Sequence, residues 1–447
     1  MSRVVALIDG EHYPPVVRFA LEQLAAEHEV VAAAFLGGTE KVDLDGGHET
    51  YGVPLVSAGS AEEAVTVAIE RHRPDVVVDL SDEPVVTSAD RFRLAGVALS
   101  HGVEYRGADF HFSPPTAALH TVTPALGLIG TGKRVGKTAI SAYVARLLKA
   151  RGHDIVVLAM GRGGPAEPEL IRGDEVALTT PDLLDLARQG KHASSDNYED
   201  AVMSRVTTVG CRRCGGGMAG ETYFSNVPEG ARLADSLGKE LLILEGSGAA
   251  IPPVHADASI LVVGAGRGLT YVQDYFGPFR LGEADAVVLA TAEEPNATSE
   301  EIAAIRRAIT EIRPDIPVAV TTFRPAPIEP VDGARVFFAT TAPAAVLDKL
   351  SAHLESEYGC TVVGASANLS NRSLLRQDMR ACAGEYDLLL TELKAAAIDV
   401  VATAGEEAGV PTVLCDNVPV PMDGGDLDGV LTEATRLALE RGAARGA

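Results

Sequence analysis

The amino-acid sequence predicts an α/β protein built on parallel sheets, and three observations lead to that fold class. Short apolar runs alternate with amphipathic stretches along the chain, as strands and helices do in parallel sheets covered on both faces. One of these runs, residues 125–129, leads into a glycine-rich loop that a helical pattern follows at once. No apolar run reaches the length of a membrane span, and 447 residues are enough for two or three domains.

The glycine-rich loop is the strongest functional signal. It ends in Gly136-Lys137-Thr138, and apolar side chains then recur at helical spacing up to a glycine stop at Gly152. A strand, a loop of this kind and a helix together form a P-loop, whose backbone N–H groups surround a phosphate. The lysine reaches the β- and γ-phosphates and the threonine holds Mg²⁺. The predicted cofactors are therefore ATP and Mg²⁺, although the loop does not decide between ATP and GTP.

The predicted nucleotide-binding residues are Gly130, Thr131, Gly132, Lys133, Arg134, Val135, Gly136, Lys137 and Thr138. The common pattern places glycine at position 131, but the glycine here is Gly130, and this form resembles the loop of dethiobiotin synthetase. Lys133 is an additional cation, which would offset charge during phosphoryl transfer. We predict that Lys133 and Lys137 are catalytic. The alternative for Lys133 and Arg134 is ordinary solvated loop charge.

A second signal is the apolar run 241–244, which ends in Glu245-Gly246-Ser247-Gly248. P-loop proteins place a carboxylate for Mg²⁺ or its water shell at the end of such a strand. The turn also resembles the Glu-Gly-x-Gly turn of dethiobiotin synthetase. We predict that Glu245 is catalytic and, together with Thr138, a metal ligand.

Arginines next to glycines suggest an anionic substrate, because a guanidinium and bare backbone N–H groups can bind one anion together. Arg162 lies between glycines after the run 155–160, and Arg212 and Arg213 precede three glycines. We predict that all three bind a phosphate-bearing substrate. Two alternatives stay open for the segment 211–217: a structural loop, or half of a zinc site. The zinc site would use Cys211 and Cys214, completed by His192 and His255.

The pattern of elements divides the chain into three parts. Residues 1–122 are predicted to form a Rossmann-like domain, and residues 123–345 a P-loop NTPase-like parallel sheet core with long active-site loops at 161–240. Residues 346–447 are predicted to form a C-terminal α/β segment with a disordered tail from 443. The predicted strands are 4–8, 30–35, 75–80, 125–129, 155–160, 241–245, 259–263, 286–289, 318–321, 361–363, 387–390, 399–401 and 412–414.

Polar groups follow three predicted strand ends of the first part, at 9–15, 81–84 and 107–111. Since ligands bind at the carboxyl ends of parallel strands, these residues are expected to line one crevice. The alternative is helix capping and an interdomain surface. A dinucleotide-binding glycine fingerprint is absent, so NAD is not predicted. In the second part, 322–325 is the expected contact for the nucleotide base.

Composition limits the partners. The formal net charge of −24 argues against nucleic acid and anionic membranes, so any phosphate site must be a local group of cations. The five cysteines show no disulfide spacing, and the N-terminus lacks a signal-peptide pattern, so we expect a cytoplasmic protein. The oligomeric state is left open, with a homodimer as one expectation.

The combination of motifs resembles the cyclic 2,3-diphosphoglycerate synthetase family over residues 1–420. The resemblance rests on 7–15, 130–138, 160–165, 211–217 and 245–248. It implies an enzyme that uses ATP to join the two phosphates of 2,3-diphosphoglycerate into an intramolecular pyrophosphate, releasing ADP and phosphate. It also implies phosphorylation of 2-phosphoglycerate, and hence a phosphorylated three-carbon acid as partner.

Two other classes remain as alternatives. One is a dethiobiotin-synthetase-like ligase that activates a carboxylate with ATP, which needs fewer anion-binding groups than this chain offers. The other is a partition-type assembly ATPase, which would show a basic DNA-binding face or an amphipathic membrane helix. The sequence shows neither feature.

Overall fold

Two β-sheets organise the chain in the computed structural model, which describes residues 1–38, 50–117, 119–422 and 424–446. Helices cover both sheets, so the predicted α/β class is confirmed. Within these described ranges, no helix has both the length and the apolar character needed to cross a membrane.

The N-terminal sheet has the order β3-β2-β1-β4-β5-β6 and is parallel except for β6. Its strands are β1 Arg3–Ile8, β2 Glu29–Phe35, β3 Leu55–Val56, β4 Val76–Asp79, β5 Glu104–Arg106 and β6 His111–Phe112. Its helices are α1 Pro14–Glu27, α2 Ala61–His72 and α3 Ser88–Ser100. Capping fixes two of the starts, because Ser60 accepts from the N–H of Glu63, and Thr87 forms a capping box with Asp90.

The larger sheet has the order β11-β10-β8-β12-β7-β13-β14-β15-β19-β18-β16-β17, with β9 paired to β10. Its first strands are β7 Ala125–Gly130, β8 Ile155–Gly161, β9 Glu169–Arg172, β10 Thr207–Cys214, β11 Phe224–Ser225, β12 Leu241–Glu245, β13 Ala258–Gly264 and β14 Ala286–Ala290. The others are β15 Val318–Pro327, β16 Arg335–Ala339, β17 Thr361–Ser366, β18 Leu388–Glu392 and β19 Thr412–Pro421. Parallel pairing of β7 with β12 and β13 brings three carboxyl ends together at one edge.

The remaining helices belong to the part of the chain that forms this sheet. They are α4 Lys137–Ala150, α5 Thr180–Arg188, α6 Asp196–Ser204, α7 Val227–Asp235, α8 Thr270–Gln273, α9 Gly277–Gly282, α10 Ser299–Ile312, α11 Leu347–Tyr358, α12 Arg372–Ala381, α13 Thr403–Ala408 and α14 Leu427–Gly446. The helix after the P-loop buries Ile140, Val144 and Leu148 against the strands, as its apolar spacing predicts.

Two long strands join the P-loop half of the sheet to the C-terminal half. Strands β15 and β19 run antiparallel, with residues 321–327 facing 415–421. The sequence predicts only the first few residues of each, because prolines interrupt the apolar pattern after them. The division of the chain at 122 and 345 stays a prediction, and strand β16 lies in the C-terminal half of the sheet although it precedes 345.

Two local predictions are wrong. Residues 399–401, predicted as a strand, lie in a π-helical turn at Ala397–Ala402, because a short buried apolar run fits either structure. The stretch 161–240, predicted as loops, contains α5, α6 and α7 and the strands β9, β10 and β11. Its glycines and charges obscured the short amphipathic helices.

The predicted disorder of the C-terminal tail is also wrong, although Ala447 itself lies outside the described residues. Helix α14 continues to Gly446, and Gly442 lets it approach Pro124 closely. Near its end, Arg445 pairs with the buried Asp257, with Nη2 at 2.9 Å from Oδ2 and Nε at 3.0 Å from Oδ1. The tail is therefore part of the packed structure.

We expect Arg445→Ala to lower the free energy of unfolding by about 1–3 kcal/mol, because the buried Asp257 carboxylate loses its guanidinium partner. Burial alone would raise the pKa of Asp257, but hydrogen bonds from Arg445 and from the Ala125 N–H lower it. The contribution of the Arg445–Asp257 pair to the free energy of unfolding is therefore full near neutral pH and declines as the pH falls through the folded-state pKa of Asp257.

Urea unfolding at two pH values measures the free energy of unfolding of the variant and of the wild type. Arg436→Ala, which breaks only surface pairs on the same helix, is the control and should change nothing measurable; equal effects of both changes would contradict the assignment.

Candidate nucleotide and phosphate site

The P-loop lies at the carboxyl edge of the large sheet, between the end of β7 and the start of α4. Gly136 precedes the helix with φ of +93°, and a Cβ there would lie 2.3 Å from Cζ of Phe323. Glycine is therefore required both by the backbone and by the close approach of the aromatic ring. The strand–loop–helix context predicted from the sequence is confirmed.

Lys137 is buried at the centre of this loop. Its Nζ donates to the carbonyl of Gly132 at 2.9 Å and to that of Gly248 at 2.7 Å. Burial lowers its pKa to about 8, while the carboxylates of Glu245 and Asp196 oppose that shift. The side chain thus bridges the P-loop and the turn after β12, next to where a phosphate chain would lie.

Acidic residues face Lys137 from two elements. Glu245 ends β12, and its carboxyl lies next to the hydroxyl of Thr138 and the carboxyl of Asp200 in helix α6. Burial raises the pKa of Glu245 to about 7, and the nearby Asp196 carboxylate adds to the rise. Burial also raises the pKa of Asp200 well above its usual range. The sequence-predicted pair Thr138 and Glu245 is therefore adjacent in the structure.

These carboxylates are poorly satisfied. Both carboxyl oxygens of Asp200 and Oε2 of Glu245 are buried and accept no hydrogen bond. Two neighbouring buried carboxylates favour a cation between them. In the described ranges, no three His, Cys, Asp or Glu side chains converge as a metal cage. The pair of carboxyls, Asp200 and Glu245, fits Mg²⁺, which usually takes one or two carboxylates and completes its shell with water and phosphate.

A buried network connects helix α6 to the C-terminal half of the sheet. Lys394 follows β18, and its Nζ lies 3.0 Å from Oε1 of Glu199. Burial alone would lower the pKa of Lys394, but the carboxylates of Glu199 and Glu392 raise it above its usual value. The contact between Lys394 and Glu199 joins the acidic helix to the opposite wall of the site.

Cations surround the rest of the loop. Lys133 and Arg134 are exposed on it, and Arg134 donates to Oγ of Ser370 at 3.3 Å. Arg267 donates to the carbonyl of Lys133 at 2.7 Å. Burial and the neighbouring Arg162 and Arg134 lower the pKa of Lys133, which is the effect expected of cations that crowd one place.

The structure separates the two adjacent arginines of strand β10. Arg213 donates Nη2 to the carbonyl of Ser247 at 2.7 Å, and burial followed by the charge of Arg162 lowers its pKa. Arg212 instead donates Nε to the carbonyls of Gly164 and Pro165, at 3.2 and 2.6 Å. Neighbours on a strand point to opposite faces. Arg213 therefore lies beside the site, on the turn after β12, and Arg212 supports the turn that bears Arg162.

The zinc alternative for the Cys-x-x-Cys segment is not supported. Cys211 is buried in an apolar cluster under helix α7, where a Cβ on Gly230 would lie 2.1 Å from its Sγ. Cys214 is exposed at the end of the same strand. Residues three apart on a strand lie on opposite faces, so the two thiols do not point toward one metal ion.

A cleft of about 850 Å³ lies between the P-loop and the C-terminal half of the sheet. One wall contains Lys133–Ala139, Arg162, His192 and Asp196. The opposite wall contains Thr341, Asn368, Ser370, Lys394 and Asn417.

Residues 322–325 are the expected contact for the nucleotide base. Thr322 and Phe323 line the cleft. Arg324 instead forms an ion pair with Glu293, with Nη2 at 2.9 Å from Oε2. The contact with a base stays a prediction.

The crevice expected in the N-terminal sheet is only partly assembled. Asp9 at the end of β1 accepts from Nδ1 of His12 at 2.9 Å and from the N–H of Asp82 at 2.7 Å. The ends of β1 and β4 thus meet, but the segment 107–111 makes its contacts elsewhere, with His111 on Glu104 and Phe110 stacked on Tyr105. These contacts favour the structural alternative for the third segment.

Three residues of the site were missed by sequence reasoning: Asp196, Asp200 and Lys394. The spacing of the two aspartates, four apart, places them on one face of a helix, and Ser195 directly precedes that helix. The sequence contains that signal, but the glycines and charges around it favour an interpretation as loops. Nothing in the sequence around Lys394 indicates that it approaches a P-loop more than 250 residues earlier.

The strand–loop–helix element, its buried lysine and the carboxylate on the neighbouring strand define a P-loop nucleotide-binding protein. Family models of cyclic 2,3-diphosphoglycerate synthetase match three successive parts: its N-terminal domain at 3–113, its P-loop domain at 125–322 and its C-terminal domain at 327–418. The chain belongs to the cyclic 2,3-diphosphoglycerate synthetase family.

Similar proteins of that name cover almost the full length of the chain. The synthetase of Rubrobacter xylanophilus is 50% identical over 99% of this chain and 98% of its own. Those of Methanothermus fervidus and Thermococcus kodakarensis are each 46% identical over 98% of this chain, and over 98% and 99% of their own. The predicted resemblance is thus confirmed, and the ligase and partition-ATPase alternatives are not favoured.

Proposed function

We propose that this enzyme uses ATP to convert 2,3-diphosphoglycerate into cyclic 2,3-diphosphoglycerate, and that it also phosphorylates 2-phosphoglycerate. The main structural support is one cleft that combines a P-loop, a pair of buried carboxylates and a set of cations. The cations on or beside it are Lys133, Arg134, Lys137, Arg162, Arg213 and Arg267. Such a group offsets the many negative charges of ATP and a bisphosphate held together.

The proposed reaction has two displacements. An oxygen of one substrate phosphate attacks the γ-phosphorus of ATP, and ADP leaves. An oxygen of the other substrate phosphate then attacks the phosphorus of the first, which closes the ring and expels the former γ-phosphoryl group as phosphate. Phosphate oxygens are already nucleophiles, so the protein mainly positions groups and neutralises charge. Holding both phosphates together contributes on the order of 7–11 kcal/mol to ring closure.

Each predicted residue has a place in this scheme. Lys137 and Lys133 stabilise the transferring phosphoryl group, and Arg162 and Arg213 hold the substrate phosphates. Thr138 and Glu245 would hold Mg²⁺, with Asp200 beside them, and the ion would neutralise charge on the β- and γ-phosphates. Arg212 acts indirectly, through the turn at Gly164.

We further propose that the carboxylate of the three-carbon acid faces the C-terminal wall of the cleft. Asn368 and Ser370 provide an amide and a hydroxyl donor there, while Thr341 and Asn417 in the same wall hydrogen-bond to Glu392. These donors, with Lys394 in the same wall, suit a carboxylate, while the cations on and beside the P-loop are left for the phosphates. A cytoplasmic homodimer with the three-part division given above completes the proposal.

The proposal is tested by product analysis. Purified enzyme is incubated with ATP and Mg²⁺ and, in separate reactions, with 2,3-diphosphoglycerate, 2-phosphoglycerate, 3-phosphoglycerate or a non-phosphorylated acid. We expect ADP release with the first two, and a product one water lighter than 2,3-diphosphoglycerate by mass spectrometry. ADP release that no acid stimulates would contradict the proposal.

The two arginines of β10 give a matched pair of variants. We expect Arg213→Ala to raise KM for the bisphosphate roughly 10- to 100-fold, because charge-assisted phosphate contacts contribute about 1.5–3 kcal/mol each. KM for ATP should stay within a few-fold. Arg212→Ala, with its side chain on the other face of the strand, should change KM for the bisphosphate much less. Initial-rate kinetics with each substrate varied measure both, and equal effects would contradict the assignment.

A further inference from the structure

Three consecutive backbone carbonyls in the turn after Glu245 each accept a hydrogen bond from a cationic side chain. Arg213 Nη2 donates to Ser247 at 2.7 Å, Lys137 Nζ to Gly248 at 2.7 Å, and Arg280 Nη2 to Ala249 at 2.9 Å. The first two cations belong to the proposed site. Arg280 does not line the cleft and has no part in the reaction described so far.

Arg280 is unusual because its guanidinium is buried and binds backbone carbonyls. Arg280 is only 5% exposed, and burial lowers its pKa to about 10. Within the described ranges of the chain, it forms no ion pair with a carboxylate. Its guanidinium instead donates to backbone carbonyls, including Met218 at 3.1 Å in the loop that follows Arg213. A buried guanidinium is costly, and here its hydrogen bonds hold two segments of the site together.

Helix α9, which bears Arg280, is anchored on the N-terminal sheet. Phe276 and Phe279 lie in the same apolar cluster as Leu94, Leu99 and Tyr105 of that part. At Gly96 of helix α3, a Cβ would lie 3.7 Å from Cβ of Phe279, so the two helices are in close contact. The position of Arg280 is therefore set by the N-terminal part of the chain.

We propose that Arg280 is a positioning residue that fixes the turn 247–249 and thereby the places of Lys137 and Arg213. This inference rests on the proposed function of the site. Since the turn directly follows Glu245, a shift there would displace the lysine, the arginine and the carboxylate together. The N-terminal part thus supports the phosphate site through helix α9 and Arg280 without contributing a group that touches substrate.

The test compares Arg280→Met, which keeps an unbranched stem but removes the guanidinium and its donors, with Arg280→Lys and Arg313→Met. Arg313 is the matched control, because it also donates to backbone carbonyls of the α9 region, Leu281 at 2.7 Å and Gly282 at 2.9 Å, but does not reach the turn. Misplacement of catalytic groups by about 1 Å costs on the order of 100-fold. For Arg280→Met we therefore expect kcat/KM for the bisphosphate to fall roughly 30- to 100-fold with KM for ATP within threefold, while Arg280→Lys recovers part of the loss. Arg313→Met should behave as wild type.

Amide hydrogen exchange gives a readout that does not depend on turnover. In Arg280→Met, without ligands, we expect the peptide that spans 246–250 to exchange faster than in wild type, and in Arg313→Met to exchange as in wild type. Unchanged exchange in this peptide, or the same kinetic loss in both methionine variants, would overturn the positioning role. If wild type makes no cyclic product but the exchange result holds, the proposed reaction fails and the structural role of Arg280 stands.

Discussion

Lys137→Ala is expected to lower kcat by about 10³-fold or more while the protein stays folded. The lysine is the buried cation at the centre of the P-loop, and cations placed on a transferring phosphoryl group contribute on this scale. The substitution removes a buried charge and leaves the carbonyls of Gly132 and Gly248 without that donor. Because these effects on stability oppose each other, we expect only a small change in Tm.

Steady-state ADP release measures kcat of the Lys137 variant, and a thermal melt measures its Tm. Lys149→Ala is the control, since that lysine lies at the exposed far end of the same helix. It should keep wild-type kcat. A kcat within tenfold of wild type in the Lys137 variant would remove the P-loop lysine from the mechanism.

Glu245→Gln is expected to lower kcat about 100-fold and to raise the Mg²⁺ concentration for half-maximal activity about tenfold or more, since a neutral amide is a poor ligand for a hard cation. The same change removes one of two neighbouring buried carboxylates. Without Mg²⁺, the Tm should therefore not fall.

A Mg²⁺ titration of activity, with melts in the presence and absence of the ion, tests this. Glu240→Gln is the control, because Glu240 is exposed just before the same strand and its partners are His153 and the N–H of Asp154. An unchanged Mg²⁺ titration together with a lower Tm in Glu245→Gln would assign Glu245 to structure.

The sequence predicted the parts of the site that consist of contiguous residues. The P-loop is encoded within one strand–loop–helix segment, and Glu245 is marked by the four apolar residues before it. Both patterns consist of contiguous residues, so they can be recognised without any knowledge of tertiary structure. The parallel sheet was predictable for the same reason, because its buried strands are short apolar runs.

The rest of the site depends on long-range packing. Lys394 reaches Glu199 only because β19 pairs with β15 and joins the two halves of the sheet. The difference between Arg212 and Arg213 depends on which face of β10 is turned to the P-loop, and a register shift of one residue would exchange them. The ordered tail depends on Arg445 finding Asp257, a contact that composition near a terminus does not indicate.

In the proposed mechanism, the γ-phosphoryl group of ATP activates one substrate phosphate and then leaves after attack by the other. Phosphorus NMR with 2,3-diphosphoglycerate labelled with ¹⁸O in its non-bridging phosphate oxygens tests it most directly. We expect both phosphomonoester signals to be replaced by upfield pyrophosphate-type signals, with one ADP and one phosphate formed per turnover. Each phosphate released should contain the γ-phosphorus of ATP and one ¹⁸O atom taken from the substrate. Release of phosphate without ¹⁸O, or of ADP without new pyrophosphate signals, would contradict the mechanism and leave an ATPase or a simple kinase.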